Sequence, residues 1–186
     1  MSRKRKKNRS KGFLRSVMDF GVFILAVLVI AFVLSRFVTE RIRVKNHSME
    51  HTLDDGDSVL IEKLSYRFGE PERYDIIVFR QKGTGEELVK RIIGLPSETV
   101  QIKNGRFYIN DEEIDDIEGL DPPEDAGIAA SPVKLSVGEY FVVGDNRKES
   151  IDSRYEEVGT VTSTRIAGRV YLRLLPISKL RFFFRK

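Results

Sequence analysis

A long apolar segment near the N-terminus constrains the folding of this chain more than any other feature. From Phe20 to Leu34 every residue is apolar or glycine, and the run extends from Val17 to Val38 with three polar interruptions. In helical conformation these residues rise roughly 33 Å, enough to cross a hydrocarbon core of about 30 Å. The segment therefore predicts a transmembrane helix over residues 16–38.

The charge of the chain is concentrated ahead of this helix. Residues 1–15 hold eight basic side chains and no acidic one, whereas the chain as a whole has a net charge of +4. By the positive-inside rule, residues 1–15 form a cytoplasmic tail, and residues 39–186 form an extracytoplasmic domain. Because an apolar helix follows the tail and no nucleic-acid-binding motif occurs, we expect no nucleic-acid partner.

A cleavable secretory signal peptide is the alternative interpretation of the same residues. The apolar run is long for that role, and Val33 and Ser35 make a poor pair of small residues before a cleavage site. The chain contains no cysteine. This agrees with an exported domain that does not depend on disulfides. A membrane anchor is therefore the preferred prediction.

The sequence after Val38 favours a mostly β fold. Short β-branched or aromatic runs alternate with turn signals, and Asn104-Gly105 between two such runs predicts a hairpin. Residues 104–137 are predicted to form a variable hairpin and surface excursion, and residues 180–186 a terminal strand or an interfacial membrane contact. The predicted strands are Arg41–Lys45, Ser58–Ile61, Asp75–Arg80, Leu88–Ile93, Thr99–Lys103, Arg106–Asn110, Tyr140–Val143 and Arg165–Leu174.

Four blocks in a fixed order carry a family resemblance. They are His47–Leu53, Tyr74–Phe79, Val89–Pro96 and Gly144–Arg154. Behind a single anchor, this series resembles the type I signal peptidases, in particular the small single-anchor kind of Gram-positive bacteria. The resemblance implies an antiparallel β catalytic domain of the signal-peptidase type.

The resemblance also implies an activity. It is that of a serine endopeptidase that removes N-terminal signal peptides from exported preproteins at the outer membrane face, after small residues of the Ala-x-Ala type. Ser48 would be the nucleophile and Lys90 the general base, with the Ser48 backbone amide binding the oxyanion. The implied partners are preproteins and membrane lipid, with no metal or cofactor. We expect the protein to be monomeric in the membrane.

The chemistry requires a lysine that is neutral near physiological pH. A free lysine has a pKa near 10.4, so burial must lower the pKa of Lys90. In a strand, Leu88 and Ile92 would lie on the same side as Lys90, and Arg91 would point the other way. The alternative is a lysine at a strand edge with an exposed head.

The resemblance assigns further roles and reveals two departures. Ser150 would orient the lysine, while Asp145, Asp152 and Arg154 would brace the site. His51 stands where the family has proline, so the turn would be held by other contacts. Asn46 stands where the family has serine or glycine, and its amide is proposed as an oxyanion donor.

Rival functions are weaker. His47, Glu50 and His51 match the zinc motif of inverted metalloproteases, but that motif requires a helix, and the sequence after it predicts a turn. A Ser-His-Asp triad is difficult to build because both histidines flank the serine. A tethered, inactive relative acting as a chaperone would not need both Ser48 and Lys90.

Overall fold

The computed structural model describes the backbone of residues 3–184 and the side chains of residues 15–32, 39–66 and 68–184. The chain forms two compact units, residues 1–39 and 40–186. The predicted basic tail lies outside the described side chains apart from Arg15, as do Arg185 and Lys186.

The first unit is a single helix, α1, from Arg3 to Val38. Its stretch Arg15–Phe32 is long and apolar enough to cross a membrane. All side chains of that stretch are exposed, and most of them are apolar. The helix predicted from the apolar run is therefore present, and it begins earlier than residue 16.

The second unit is built of antiparallel strands, as the sequence predicted. One short α-helix, α2 (Ser65–Phe68), lies among them, and the described chain also has 3-10 turns at Gly127–Ala130, Ser163–Arg165 and Ile177–Lys179. The strands are β1 (Thr39–Arg43), β2 (Ser58–Glu62), β3 (Ile76–Arg80), β4 (Glu87–Gly94), β5 (Thr99–Lys103), β6 (Arg106–Ile109), β7 (Glu112–Glu113), β8 (Val133–Lys134), β9 (Glu139–Val143), β10 (Val161–Thr162), β11 (Ile166–Leu175) and β12 (Arg181–Phe182).

Two sheets organise these strands. The larger has the order β1-β2-β11-β3-β4-β9-β10, with β12 paired to β11, and the smaller has the order β7-β6-β5-β8. The hairpin predicted at Asn104-Gly105 joins β5 to β6, with Lys103 opposite Arg106. Both turn residues have positive φ, which Asn and Gly tolerate.

Burial on both faces explains why β3 and β4 lie inside the large sheet. Val78 and Val89 pack in a cluster with Met49 and Leu53, whereas Ile77 on the opposite face packs with residues of β9. Residues 76–79 are all buried, so β3 is the short β-branched and aromatic run that the sequence predicted, with side chains on both faces of the sheet. This burial makes β3 and β4 a rigid support for whatever side chains they carry.

Several strand boundaries differ from the sequence prediction. β1 ends at Arg43 rather than Lys45 because Val44 leaves the ladder, and it exchanges backbone hydrogen bonds with Gly56 and Asp57. The two-residue strands β7, β8 and β10 were not predicted, since two residues are too few to show a period of two.

Candidate active site

Lys90 lies near the middle of β4, opposite Ile77 of β3. Its side chain is only 2% exposed. Burial lowers the pKa of Lys90 to about 8, while the charges of Asp152 and Asp145 act to raise it and that of Arg154 to lower it. The structure therefore contains the buried lysine, rather than an exposed lysine head at a strand edge.

Ser48 lies in the connection between β1 and β2, of which residues 46–57 are here called the Ser48 turn. The turn is anchored in the core by Met49 and Leu53, which are both fully buried. Its base is closed by the hydrogen bonds of Val44 described above, and Arg173 of β11 donates to the Thr52 carbonyl at 3.1 Å. The serine is thus held by neighbours rather than by a sheet ladder.

The structure brings these two predicted residues together. Lys90 Nζ and Ser48 Oγ lie 2.6 Å apart, although 42 positions separate them in the sequence. At this distance a neutral amine can accept the hydroxyl proton and leave an oxygen nucleophile. A depressed lysine pKa is the condition for that amine to be available near neutral pH.

Residues 144–154, here called the 144–154 segment, pass directly against the Ser48 turn. The Asn146 backbone N–H donates to the Ser48 carbonyl at 3.1 Å. A Cβ built on Gly144 would overlap both that carbonyl oxygen and the Ser150 hydroxyl. Only glycine fits this close approach, which is why the segment can reach the serine.

The 144–154 segment takes part in two ion pairs in which both partners are buried. Asp145 accepts from Arg91 at 2.6 and 2.8 Å, and both side chains are almost fully buried. Asp152 accepts from the Arg154 guanidinium at 2.9 Å and from the Gly144 N–H at 2.9 Å. Arg91 therefore points away from Lys90, as predicted, and connects β4 to the segment.

Arg154 is fully buried and bonds to backbone groups on several sides. Its guanidinium donates to the carbonyls of Arg147, Ser150 and Asp125. A buried guanidinium is stable only when its donors and its charge are satisfied, and here Asp152 supplies the charge. The predicted bracing residues Asp152 and Arg154 are thus joined in one network, whereas Asp145 belongs to the separate pair with Arg91.

Ser150 is buried beside Gly144, but its Oγ has no hydrogen-bond partner among the residues that the structure describes. The sequence predicted that this hydroxyl orients Lys90. The geometry contains no such hydrogen bond, so the role of Ser150 stays a prediction.

The two departures from the family pattern both lie in left-handed backbone. Asn46 has φ of 71° and His51 has φ of 79°. Asn46 donates its backbone N–H to Asp55, and its exposed side chain has no hydrogen bond to any described residue. Its proposed oxyanion role stays a prediction. Proline fixes φ near −65°, so His51 occupies a conformation that proline cannot adopt.

The His-x-x-Glu-His segment forms turns and not the helix that a zinc motif requires. The His47 ring instead contacts the Glu50 carboxylate. This contact raises the pKa of His47, chiefly through the hydrogen bond to Glu50.

Sequence reasoning missed two contacts. Asn146 reaches the Ser48 turn with its side chain as well as its backbone, donating to the His47 carbonyl at 3.0 Å. Arg147 pairs with Asp116 at 2.7 Å and so fastens the 104–137 excursion to the 144–154 segment. The only signal for Asn146 was its place inside the recognised block, because its partner is 99 positions away.

Comparisons with known proteins give the family. The chain matches the family model described as signal peptidase, peptidase S26, over residues 17–175. A probable signal peptidase I-2 of Synechocystis is 34% identical over 169 residues, covering 88% of this chain and 75% of that protein. Signal peptidase I of Bacillus licheniformis is 33% identical over 173 residues, covering 89% and 92%.

One solved structure is also similar to this chain in sequence. The crystal structure of a signal peptidase I from Enterococcus faecalis is 32% identical to this chain, with a TM-score of 0.43. The match covers 53% of this chain and 95% of that one.

The family match and the sequence relatives define the protein first as a hydrolase of the serine protease class. More particularly, the chain belongs to the signal peptidase family, peptidase S26, whose model spans most of its length. It is a membrane-associated family that cleaves signal peptides from preproteins, and one helix of this chain is apolar and long enough to span a membrane.

Proposed function

We propose that the protein cleaves N-terminal signal peptides from exported preproteins with a Ser/Lys dyad formed by Ser48 and Lys90. The observation that carries this proposal is the 2.6 Å separation of Lys90 Nζ and Ser48 Oγ, with the lysine buried and its pKa lowered to about 8. At neutral pH a usable fraction of Lys90 is then uncharged and can act as a base.

The proposed mechanism has two stages. Neutral Lys90 accepts the Ser48 proton while Oγ attacks the scissile carbonyl, and the charge that develops on the carbonyl oxygen is received by the Ser48 N–H. Protonated Lys90 then gives its proton to the leaving amine, which leaves an acyl group on Ser48. Lys90 next activates a water molecule that hydrolyses this ester and releases the signal peptide.

The edge of β4 supports an extended binding mode for the substrate. β9 pairs with β4 only over Arg91–Gly94, whereas β3 pairs with it from Glu87 to Arg91. The half of β4 that leads to Lys90 therefore has one neighbour among the described strands. A peptide added there would gain backbone hydrogen bonds and pass close to the dyad. We propose small residues, such as Ala, at the −1 and −3 positions of that peptide.

The topology completes the proposal. Residues 1–15 lie in the cytoplasm, residues 16–38 span the membrane, and residues 39–186 act outside as a monomer in contact with lipid. The chain has no cysteine, so a single introduced thiol reports its own location. Lys82→Cys should react with an impermeant maleimide in intact cells, and Lys11→Cys only after lysis. The opposite labelling pattern would contradict this orientation.

The test of the activity uses the full-length protein in detergent with a precursor that has Ala-x-Ala before the cleavage site. We expect wild-type protein to cleave it, and Ser48→Ala and Lys90→Met each to abolish cleavage. The acid limb of kcat/KM should lie near pH 8, since Lys90 must be neutral. Cleavage that survives in both variants, or an acid limb that vanishes in His47→Ala, would rule out the dyad.

A further inference from the structure

One residue outside the dyad holds both carbonyls that flank the Ser48 nitrogen and Cα. The Asn146 backbone N–H donates to the Ser48 carbonyl at 3.1 Å, and Asn146 Nδ2 donates to the His47 carbonyl at 3.0 Å. The His47 carbonyl also accepts from the Glu50 N–H at 3.1 Å. Its oxygen is therefore held by two donors from different parts of the chain.

Holding the His47 carbonyl fixes the direction of the Ser48 N–H. The two groups belong to the same peptide unit, and a trans peptide is planar with its C=O and N–H pointing in opposite directions. The only cis peptide in the described chain joins Leu175 to Pro176. Asn146 Nδ2 therefore acts on one side of this peptide and sets the position of the N–H on the other side.

The Ser48 N–H is available for a ligand. Among the residues that the structure describes, none accepts a hydrogen bond from it. An amide whose carbonyl already accepts hydrogen bonds is also polarised, which makes its N–H a stronger donor. A donor that is fixed before the reaction stabilises a developing oxyanion without the cost of reorganisation.

The orientation of the Asn146 amide is itself determined. Nδ2 lies 3.0 Å from the His47 carbonyl oxygen and 3.4 Å from Glu50 Oε2. Both are acceptors, so the NH₂ end and not the oxygen end must face them. Glu50 also contacts the His47 ring, so His47, Glu50 and Asn146 form one set of polar contacts next to Ser48.

We propose that Asn146 is a positioning residue for the oxyanion donor, acting through the His47–Ser48 peptide. The inference rests on the proposed function, because an oxyanion forms only if Ser48 is the nucleophile. Asparagine is required for its donor: aspartate has the same shape but presents only acceptors, which would face the His47 carbonyl and Glu50.

The test compares Asn146→Asp and Asn146→Ala with wild type. The backbone hydrogen bond from residue 146 to the Ser48 carbonyl remains in both variants, and only the side-chain hydrogen bond to the His47 carbonyl is lost. We expect kcat for precursor cleavage to fall about 10- to 100-fold, less than the roughly 10²- to 10³-fold for removal of one oxyanion donor, because the Ser48 N–H is displaced and not removed. KM should stay within about twofold, because ground-state contacts are unchanged.

A pair of ligands separates positioning from general damage. A peptide aldehyde matching the cleavage site forms a tetrahedral adduct with an oxyanion, whereas the corresponding peptide alcohol does not. Affinity for the aldehyde should fall in proportion to kcat/KM, and affinity for the alcohol should not change. Glu149→Ala, an exposed change in the same segment, is the matched control and should retain wild-type values on every measure.

Two results would overturn the inference. One is wild-type kcat in Asn146→Asp; the other is an equal loss of affinity for aldehyde and alcohol. Thermal unfolding is measured for each variant, and the isosteric Asn146→Asp decides the question if Asn146→Ala lowers the melting temperature. Cleavage that persists in Ser48→Ala would instead contradict the proposed function, and the inference with it. If cleavage is lost in Ser48→Ala but is unchanged in both Asn146 variants, only the inference is contradicted.

Discussion

The two sides of the proposed dyad are held in opposite ways. Lys90 projects from β4, which has strands on both sides over part of its length and core clusters on both faces. Ser48 projects from a turn with three positive-φ residues, Gly56 among them, and the turn is held by Arg173 and Asn146 from distant segments. The base is thus part of a regular framework, whereas the nucleophile depends on individual side chains.

This difference indicates where the site is sensitive to substitution. A strand residue is fixed by a ladder of backbone hydrogen bonds, which side-chain changes leave in place. A turn residue is fixed by contacts that single substitutions remove. We therefore expect changes in the 144–154 segment to affect Ser48 more than Lys90.

The largest expected effect tests the link between the two regions. Asp145→Asn removes the counterion of buried Arg91, and breaking a buried ion pair costs about 3–5 kcal/mol of folding free energy. Chemical denaturation measures this loss. Asp121→Asn, which breaks the more exposed pair with Lys148, is the control and should cost less than about 1 kcal/mol. Equal losses in the two variants would show that the buried pair is not special.

The second prediction concerns the strand side. The pKa of Lys90 is lower in the folded chain than in the unfolded one, so the unfolded state binds more protons as pH falls from 10.5 towards 8. Stability is therefore lost on acidification through this window. Protonated Lys90 destabilises the folded state by about 3 kcal/mol at pH 7, so Lys90→Met should raise the free energy of unfolding by this amount. This gain in stability should disappear above pH 10.5, where the lysine is neutral in both states.

Denaturation of Lys90→Met and wild type at pH 7 and pH 10.5 measures that difference. Lys82→Met, at an exposed position, should show no such dependence on pH. If the stability difference between Lys90→Met and wild type is the same at both pH values, burial does not lower the pKa of Lys90.

The third prediction addresses the contact between the Ser48 turn and Gly144 of the 144–154 segment. In Gly144→Ala the new methyl group overlaps the Ser48 carbonyl and the Ser150 hydroxyl, so the turn must shift. We expect precursor cleavage to fall about 100-fold, the effect of a misplacement near 1 Å. Gly69→Ala is the control, since its methyl group would meet only ordinary contact distances. Unchanged cleavage in Gly144→Ala would mean that the segment does not position Ser48.

The smallest effect concerns the departure at His51. Proline cannot adopt the observed φ of 79°, whereas glycine can. We expect His51→Pro to lower cleavage about 10-fold through strain in the turn. His51→Gly should retain activity within about twofold, because glycine adopts this φ without strain. Higher activity in His51→Pro would indicate that the left-handed turn is not the working conformation.

The sequence predicted much of the sheet but less of the turn. Short β-branched and aromatic runs bounded by turn signals located β3, β4 and β11 within one residue at each end, because such side chains pack well on a pleated, buried surface. Asn104-Gly105 gave the hairpin for a similar local reason. Positive φ at Asn46 and His51 was not predicted, because neither residue requires it.

In the candidate site, too, contacts within a strand could be predicted and contacts between distant segments could not. Burial of Lys90 followed from its neighbours Leu88 and Ile92 in the strand. The contacts of Asn146 with His47 and of Arg147 with Asp116 could not be predicted, since each joins residues far apart in sequence through side chains alone. The absence of a hydrogen-bond partner for Ser150 Oγ among the described residues could not be predicted either, because a family pattern gives the residue type and not its contacts.

The distances along the chain between these partners have a consequence for biosynthesis. Ser48 and Lys90 are made first, but the hydrogen bond that holds the His47 carbonyl closes a loop of 99 residues, and the Arg91–Asp145 pair one of 54. A chain still emerging from the ribosome therefore carries both members of the proposed dyad before it carries Asn146. The proposed site is therefore complete only after Asn146 has been synthesised and has folded back onto the Ser48 turn, so activity would follow the synthesis of Ser48 and Lys90 with a delay.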